Sequence, residues 1–210
     1  MPAESARERD PERTRAEILE VATREFATHG YAGARVDDMA ALMRTTKRMI
    51  YYYFGSKEQL FVAVLEHAYT AIRQAEQEVD VDGLDPASAI RRVAELTFDH
   101  HESHPDFIRL VSIENIHRAE HMATSPAIAE LGSPAIDLLA EILQRGRADG
   151  VFRDDVDAVD VHMMISAFCV FRVANRHTFG TLFDRDLTDP ALRERYRTML
   201  GDMVIAYLSV

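Results

Sequence analysis

The sequence predicts an all-α protein, because signals for helix starts recur along the chain while strand patterns are nearly absent. Four Asp-Pro or Ser-Pro pairs place a side-chain oxygen where it can accept from first-turn amides, followed by a residue that lacks an amide hydrogen. These pairs are Asp10-Pro11, Asp85-Pro86, Ser133-Pro134 and Asp189-Pro190. Apolar residues also recur with the helical period, as in Ile18, Leu19, Ala22 and Phe26. We expect about nine helices, three of them in an N-terminal unit and the others in a C-terminal body.

The composition is that of a globular protein with room for a packed core. The chain has 210 residues, of which 47% are hydrophobic. Its one cysteine, Cys169, excludes an internal disulfide and a cysteine-built zinc site, and the first residues lack the apolar stretch of a secretion signal. The most apolar run, Val161–Val173, is interrupted by polar residues and falls short of the roughly 18 apolar residues that a membrane span requires. We therefore expect a cytoplasmic protein without a membrane partner.

Charge is distributed unevenly along the chain, whose net charge is −11. Residues 1–57 carry a net charge of +1, so the remaining residues carry −12. Within Arg35–Lys57, five basic residues stand against two acidic ones. An acidic molecule with a small cationic end is repelled from a polyanion such as DNA in every orientation except that end first.

The stretch from Val36 to Lys57 contains two very short helical patterns, separated by three or four residues and followed by a long one. This is the rhythm of a helix-turn-helix motif. Thr45 or Thr46 can cap the second helix, and Ile50 and Phe54 can attach it to the core. Cationic, phenolic and apolar side chains then project outward, where they can contact phosphates, guanine edges and thymine methyl groups. They are Lys47, Arg48, Met49, Tyr52 and Tyr53.

These patterns divide the chain into four parts. Residues 1–10 are predicted to form a disordered tail and residues 11–56 a three-helix helix-turn-helix domain that binds DNA. Ser56–Gln59 is a capping box, which predicts a linker helix over residues 57–79. Residues 80–210 are predicted to form a helical domain for effector binding and dimerisation.

Three segments resemble the DNA-binding domain of the TetR (tetracycline repressor) family. They are Ile18–Tyr31, Val36–Ala40 and Ile50–Leu60, the last of which contains the specific pattern Tyr-x-Tyr-Phe-x-Ser-Lys-Glu-x-Leu. The resemblance implies a dimeric transcriptional repressor that binds double-stranded, pseudo-palindromic operator DNA and is released by a small-molecule effector. The body is similar, more weakly, to the subgroup that contains the pyrimidine-catabolism repressor, through His104-Pro105 and the order of its helices.

The resemblance also implies which residues contact DNA. Tyr51, Tyr53 and Lys57 match phosphate contacts, while Tyr52 and Lys47–Met49 match base or adjacent backbone contacts, and Thr46 matches the cap of the recognition helix. With the cationic Arg35 included, the predicted DNA-binding set is Arg35, Thr46, Lys47, Arg48, Met49, Tyr51, Tyr52, Tyr53 and Lys57. The alternative for this segment is that its aromatic residues belong to the core and its basic residues to a solvated face.

The sequence departs from the family pattern in the turn, which is usually Ala-Gly-Val-Ser and here reads Met43-Arg44-Thr45-Thr46. We therefore expect Arg44 to adopt a left-handed conformation, at a cost of about 1 kcal/mol. Arg48 also stands where a glycine is common, and Ala34 where a capping threonine is common. The operator sequence of this protein therefore cannot be inferred from the operators of its relatives.

The last helix is predicted to form the dimer interface. The segment Asp189–Leu208 carries apolar residues at spacings of three and four, a seam suited to packing in a helix bundle. They are Leu192, Tyr196, Met199, Met203 and Ala206. Because a helix-turn-helix module usually reads two half-sites as a symmetric dimer, we expect a homodimer through the last two helices. The alternative is that this seam is core within one chain.

The preceding segment, Asp157–Phe179, is predicted to be one apolar helix with a polar stripe. Buried polar groups need partners, so we expect Arg172 and Asn175 to face an effector cavity and His162 to face the partner chain. The family places several other helices around such a cavity. The predicted effector-binding set is Phe98, Phe107, Leu110, Ile113, Glu114, His117, Phe168, Arg172 and Asn175. The alternative is a satisfied core without a ligand.

A cluster of histidines in the sequence raises the alternative of a metal-binding helical-bundle enzyme. His100, His101, His104, His117 and His121 lie close together in the sequence, near three glutamates. A di-iron bundle requires Glu-x-x-His on two helices, whereas only Glu114–His117 has this pattern. Because motifs for nucleotide binding and nucleophilic catalysis are also missing, we predict no metal, no cofactor and no enzymatic activity. A third alternative, an interaction protein that no longer binds DNA, is disfavoured by the retained tyrosines and Lys57.

Overall fold

The computed structural model describes residues 11–131 and 134–210, which are organised as helices joined by short turns. The all-α prediction is confirmed, and the eleven α-helices of the described part are close to the expected number. Extended pairing there is limited to an isolated antiparallel bridge between Phe152 and Ser209. The predicted tail 1–10, with its capping residue Asp10, lies outside the described residues, as does Ser133.

Three helices form an N-terminal unit and a fourth leads out of it. They are α1 (Pro11–Gly33), α2 (Val36–Leu42), α3 (Lys47–Phe54) and α4 (Lys57–Gln77). Their core contains the fully buried side chains of Phe26, Met39, Ile50 and Phe61. Because Phe61 belongs to α4, the start of the linker helix is part of this core.

Seven helices form the body. They are α5 (Pro86–Ser103), α6 (Pro105–Ile116), α7 (Pro126–Glu130), α8 (Pro134–Ala148), α9 (Ala158–Ala174), α10 (Arg176–Phe183) and α11 (Arg193–Leu208). Helix α5 lies at the centre and contacts α8, α9 and α11. Phe98 of α5 is fully buried in the resulting core, together with Leu139 of α8 and Val161 of α9.

The helix starts follow the expected capping chemistry. The Asp85 carboxylate accepts a hydrogen bond from the Ser88 amide at 3.0 Å, at the first turn of α5. Asp189 also caps its own helical turn, but this turn is a short 3-10 helix, Pro190–Leu192. Helix α11 therefore begins only at Arg193, later than the sequence predicted.

The prediction of one helix over Asp157–Phe179 is wrong. Helix α9 ends at Ala174, α10 begins at Arg176, and the two are bent by 70°. Asn175 lies between them, and its carbonyl accepts from the Phe179 amide at 2.9 Å. Asparagine disfavours a helix interior because its side chain competes for backbone hydrogen bonds. No single helix in the described part is long and apolar enough to cross a membrane, a test that α9 and α10 pass only as this bent pair.

The two parts of the chain meet through α6, which packs along α1. Leu110 of α6 is fully buried in the N-terminal core. One turn later, Glu114 is buried and accepts a hydrogen bond from His121 Nδ1 at 2.8 Å and one from the Met122 amide at 3.0 Å. We call Glu114 and His121 the junction pair. A buried ion or polar group requires such partners, so the pair ties the end of α6 to the loop that follows it.

Candidate functional site

The turn between α2 and α3 has the strained geometry that the sequence predicted. Arg44 has a φ of 52°, in the left-handed region, and its amide donates to the Ala41 carbonyl at 3.2 Å. Thr46 then adopts an extended conformation, and its hydroxyl accepts from the Met49 amide at 3.3 Å. The turn and this cap together fix the direction in which α3 leaves the N-terminal core.

One face of helix α3 packs against the N-terminal core, and the opposite face is exposed to solvent. Ile50 is fully buried and Phe54 nearly so, which anchors the helix. On the opposite face Tyr52 is 79% exposed and Met49 37% exposed. Lys47 and Arg48 are exposed as well, so the predicted outward placement of these four residues is confirmed. The alternative of a core aromatic cluster therefore does not apply to Tyr52.

The two flanking tyrosines differ from Tyr52. Tyr51 and Tyr53 are half-buried and pack against the N-terminal core, so the fully outward placement predicted for Tyr53 is wrong. The Tyr53 ring also contacts the Tyr52 ring edge-on, with centroids 5.3 Å apart. Both tyrosines therefore support α3 while remaining partly exposed.

The cations near α3 have weak protein partners. The Lys47 ammonium lies 3.0 Å from the Asp37 carboxylate, and this hydrogen bond raises the pKa of Lys47. Because both groups are exposed, the pair contributes little to stability and can open at little cost. The Lys57 ammonium lies 4.9 Å from the centre of the Tyr31 ring, and desolvation lowers the pKa of Lys57. Arg35 is exposed, and all three cations lie on the N-terminal unit.

Helix α4 and the body share a group of interior polar side chains that the sequence did not predict. We call Tyr69 and Glu76 of α4, His101 of α5 and His162 of α9 the interior polar cluster. The Phe107 ring joins two of them, with its centroid 5.3 Å from that of Tyr69 and 5.8 Å from that of His101. The available signal was the spacing of polar residues on the buried face of α4, where Glu76 follows Tyr69 by two helical turns.

The titratable groups of the interior polar cluster are held mostly uncharged by burial. Desolvation raises the pKa of Tyr69 and lowers that of His162. Desolvation, with a smaller effect of the neighbouring His100, lowers the pKa of His101 to about 4. Glu76 keeps a charged partner, since both of its carboxylate oxygens accept from Arg73 at 2.6 and 2.7 Å. The cluster therefore offers neutral donors and acceptors beside one ion pair.

His162 is half-buried, and the charges of Glu76 and Arg73 on α4 influence its pKa. The position that the sequence analysis gave it, facing the partner chain, stays a prediction. The His162 Nε2 atom also lies 3.4 Å from the Ser166 hydroxyl on its own helix. The polar stripe of α9 thus begins on the side of the linker helix.

The nine predicted effector-binding residues fall into separate places. Phe107 lies at the interior polar cluster. Phe98, Phe168 and Arg172 lie in the core between α5, α9 and α11. The others lie at the contact between α1 and α6 or at helix ends: Leu110, Ile113, Glu114, His117 and Asn175. The structure therefore does not bring the predicted set together around one cavity.

Arg172 illustrates why the predicted cavity is incomplete. Its side chain is 3% exposed and lies over the Phe98 ring, 4.0 Å from the ring centre. It donates to the Glu102 carboxylate at 2.8 Å and to the Leu187 carbonyl at 3.0 Å. A guanidinium with these partners is satisfied within the chain, which removes it as a free cation for an effector.

An apolar face lies open on α9 and α11. Met163 and Phe171 of α9 are 60% and 47% exposed, and Met199 and Met203 of α11 are 36% and 49% exposed. Tyr196, predicted for the same seam, is instead buried in the core beside Phe168. We call the four exposed residues the apolar face. Three of them, Phe171, Met199 and Met203, line one pocket, and exposed apolar patches are common at interaction sites.

The crowded histidines have other partners. His101 Nδ1 bonds to the Thr97 carbonyl and His104 Nδ1 to the His100 carbonyl, both at 2.9 Å, while His121 belongs to the junction pair. Among residues 11–131 and 134–210, no group of three His, Cys, Asp or Glu side chains is arranged to hold a metal ion.

A three-helix unit with an exposed recognition helix, joined to a larger helical body, defines a helix-turn-helix DNA-binding protein. Two family models match the chain. Residues 18–64 match the model for bacterial regulatory proteins of the tetR family, and residues 86–204 match that for the tetracyclin repressor-like C-terminal domain. The chain belongs to the TetR family of transcriptional regulators, whose members bind operator DNA as dimers and respond to small-molecule ligands.

Relatives agree with this assignment over most of the chain. The HTH-type transcriptional repressor NicS of Pseudomonas putida is 36% identical over 95% of this chain and 94% of its own length. The HTH-type transcriptional repressor SCO4008 of Streptomyces coelicolor is 36% identical over 79% of this chain and 81% of its own. The solved structure of a putative transcriptional regulator, SCO4942 from Streptomyces coelicolor, has a TM-score of 0.68 at 31% identity and covers 93% of this chain and 98% of its own. Since this family comprises regulators, the metal-bundle enzyme is not supported, and the likeness to the pyrimidine-catabolism subgroup stays a prediction.

Acid should destabilise the fold through His101. Burial lowers the pKa of His101 from 6.5 to about 4, so the unfolded chain binds this proton at a higher pH than the folded chain does. The stabilising contribution is therefore complete above pH 6.5 and is lost as the pH falls from 6.5 towards 4. We expect His101→Asn to reduce the loss of unfolding free energy between pH 7 and pH 5 by about 2 kcal/mol.

Urea unfolding at a fixed protein concentration measures this difference, because the carboxylates titrate equally in both proteins. His67→Asn is the matched control, since His67 is exposed on α4, and its pH profile should follow that of the unchanged chain. Parallel profiles for His101→Asn and the unchanged chain would contradict the prediction.

Proposed function

We propose that the protein is a repressor that blocks transcription by holding two α3 helices in successive major grooves of an operator. The observation that carries this is the exposed face of α3, with Lys47, Arg48, Met49 and Tyr52 beside one another on an otherwise acidic chain. The repressing sense is supported by the names of both relatives. A regulator that reads bacterial chromosomal DNA acts in the cytoplasm, which is where we place this protein.

The nine predicted DNA-binding residues divide by the chemistry that they offer. We assign base or adjacent backbone contacts to Arg48, Met49 and Tyr52, which are exposed on α3. We assign phosphate contacts to the remaining exposed or half-exposed donors: Arg35, Lys47, Tyr51, Tyr53 and Lys57. Thr46 positions the helix as its cap. Phosphate contacts fix the orientation on the duplex, and base contacts supply the specificity.

The salt dependence of binding tests the phosphate contacts. A Lys47→Ala/Lys57→Ala variant should bind operator less tightly. Because each of the two protomers loses two phosphate contacts and each contact contributes roughly 0.9, the slope of log K against log salt should flatten by about 3.6. The operator is the duplex that the unchanged protein enriches from a random library, and binding is followed by fluorescence anisotropy. Arg92→Ala, an exposed cation on α5, is the control and should leave the slope unchanged. An unaltered slope in the double variant would remove these lysines from the interface.

We also propose that the apolar face pairs with its copy in a second chain. The prediction named the last two helices, which in the structure are α9 with its continuation α10, and α11. Met163, Phe171, Met199 and Met203 supply apolar area that water covers in the single chain. Pairing two such faces about a twofold axis buries this area and sets the two α3 helices at a fixed separation.

A charge on the apolar face should separate the dimer. Met203→Glu places a carboxylate, and by symmetry its copy, in a dehydrated contact without a partner, so the dimer dissociation constant should rise at least about a hundredfold. Sedimentation equilibrium at micromolar concentration measures it. Ile116→Glu is the matched control, because Ile116 is 78% exposed on α6, outside the apolar face. A Met203→Glu variant that remains as dimeric as the control would show that another surface forms the interface.

We propose the interior polar cluster, together with Phe107, as the effector site. Its neutral donors and acceptors beside aromatic rings suit a small, hydrogen-bonding aromatic effector. Tyr69 and Glu76 lie on α4, which begins directly after α3. An effector that fits better when α4 is displaced lowers DNA affinity by the same factor by which DNA lowers effector affinity.

Native mass spectrometry of the chain purified from its natural host tests the effector site. We expect a small molecule bound to each protomer and lost from Ser166→Phe, which places a ring beside His162. Ala140→Phe, at an exposed position of α8, should retain it. A molecule retained equally by both variants would place the effector elsewhere in the body.

A further inference from the structure

A cavity lies between the N-terminal unit and the body, and it shares Phe107 with the proposed effector site. It has a volume of about 750 Å³, within the range of small-molecule sites. We call it the interdomain cleft. One wall is the outer face of α1, another is α4, and the third is the turn from α5 to α6. Any occupant therefore touches the DNA-binding part and the body at the same time.

The lining of the interdomain cleft is shaped for a flat molecule. Its floor contains the alanines Ala16 of α1 and Ala71 of α4, whose small side chains leave depth between the helices. The far wall is formed by stacked imidazoles, His100 and His104, with ring centroids 4.2 Å apart and planes at 20°. Phe107 closes the wall, with its ring 6.3 Å from that of His100.

Imidazole nitrogens of that wall remain without hydrogen-bond partners among the described residues. His104 uses Nδ1 to bond the His100 carbonyl at 2.9 Å, which leaves Nε2 for other partners. The His100 ring makes no hydrogen bond with the described residues, and burial lowers its pKa to about 4. At neutral pH His100 therefore presents one donor and one acceptor beside an aromatic surface.

The charges at the cleft rim already have partners. Arg24 pairs with Glu20 at 2.9 Å, and Arg15 lies over the Phe54 ring, 5.1 Å from its centre. Carboxylates outnumber guanidinium groups along the lining, since Glu12 and Asp106 also contribute to it. The exposed Arg15 keeps its charge beside the Phe54 ring, and Asp106 pairs with Arg109 at 3.4 Å. An anionic molecule therefore gains no net attraction from this lining, while it loses its own hydration on entering.

We propose that the interdomain cleft is a second small-molecule site, which takes an uncharged planar aromatic molecule between the imidazole wall and α1. Such a molecule stacks on His100 and Phe107 and exchanges hydrogen bonds with the free imidazole nitrogens. Because it spans both parts of the chain, its binding is linked to their relative arrangement.

Two fluorescent probes of the same ring system test the site and its charge preference on the full-length dimer. N-phenyl-1-naphthylamine is uncharged, and 8-anilino-1-naphthalenesulfonate carries a sulfonate. We expect the uncharged probe to bind saturably with one site per protomer, and the sulfonate to bind at least about tenfold more weakly. Absence of saturable binding by the uncharged probe, or equal affinity of the two probes, would overturn the proposal.

Filling variants locate the bound probe. Ala16→Phe, at an exposed position of α1, places a ring in the cleft. It should raise the dissociation constant of the uncharged probe at least about tenfold. If Ala16→Phe does not fold, Ala71→Phe replaces it in the test, because it fills the cleft from α4. Ala140→Phe and Ser166→Phe should both retain the probe, which separates this site from the effector site. Unchanged affinity in a folded cleft-filling variant would contradict the proposal while leaving the proposed repressor function intact.

Discussion

The burial of α6 side chains in the core of the N-terminal unit is the constraint on which the arrangement of the molecule depends. Leu110 is a residue of the body by sequence, yet it is fully enclosed by the DNA-binding part. The junction pair continues this contact, because the His121 ring packs 4.4 Å from that of Tyr31 and 4.9 Å from that of Phe61. Removing one member of a buried hydrogen-bonded pair leaves the other unsatisfied, at a cost of about 1–3 kcal/mol. The orientation of α3 is therefore fixed by α6 as well as by α4.

The charge distribution acts on this fixed geometry. A chain of net charge −11 approaches DNA only if its cations are gathered at one end, and Lys47 and Lys57 are both held by contacts that DNA can replace. Asp37 neutralises Lys47 at an exposed position, so its attraction is largely screened by salt before binding. Operator phosphates then compete with a single carboxylate. This favours binding that is sensitive to ionic strength and readily reversed.

Local signals predicted the DNA-binding part well, whereas the body required knowledge of which faces pack together. The cap at Thr46 and the left-handed Arg44 follow from residues within a few positions of each other. The partner of Arg172 is Glu102, 70 positions away, and no periodicity indicates that the two meet. Similarly, the family resemblance placed Glu114 at an effector cavity, but it could not show that this carboxylate meets His121 and the Met122 amide. The break at Asn175 is an intermediate case, since the residue type permits a helix end without requiring one.

Two members of the interior polar cluster, Tyr69 and Glu76, lie on α4, and this position determines how strongly an effector can change DNA affinity. An effector that shifts the two-state equilibrium from one extreme to the other must bind the favoured state by about 5.5 kcal/mol more tightly. Contacts to Tyr69 and Glu76 alone would change with any displacement of α4, whereas contacts to His101 on α5 would not. A ligand that bridges α4 and α5 therefore senses their separation directly. Leu110 and the junction pair resist independent movement of the N-terminal unit. The separation of α4 and α5 therefore changes together with the position of α3. In this way effector binding lowers the affinity for DNA.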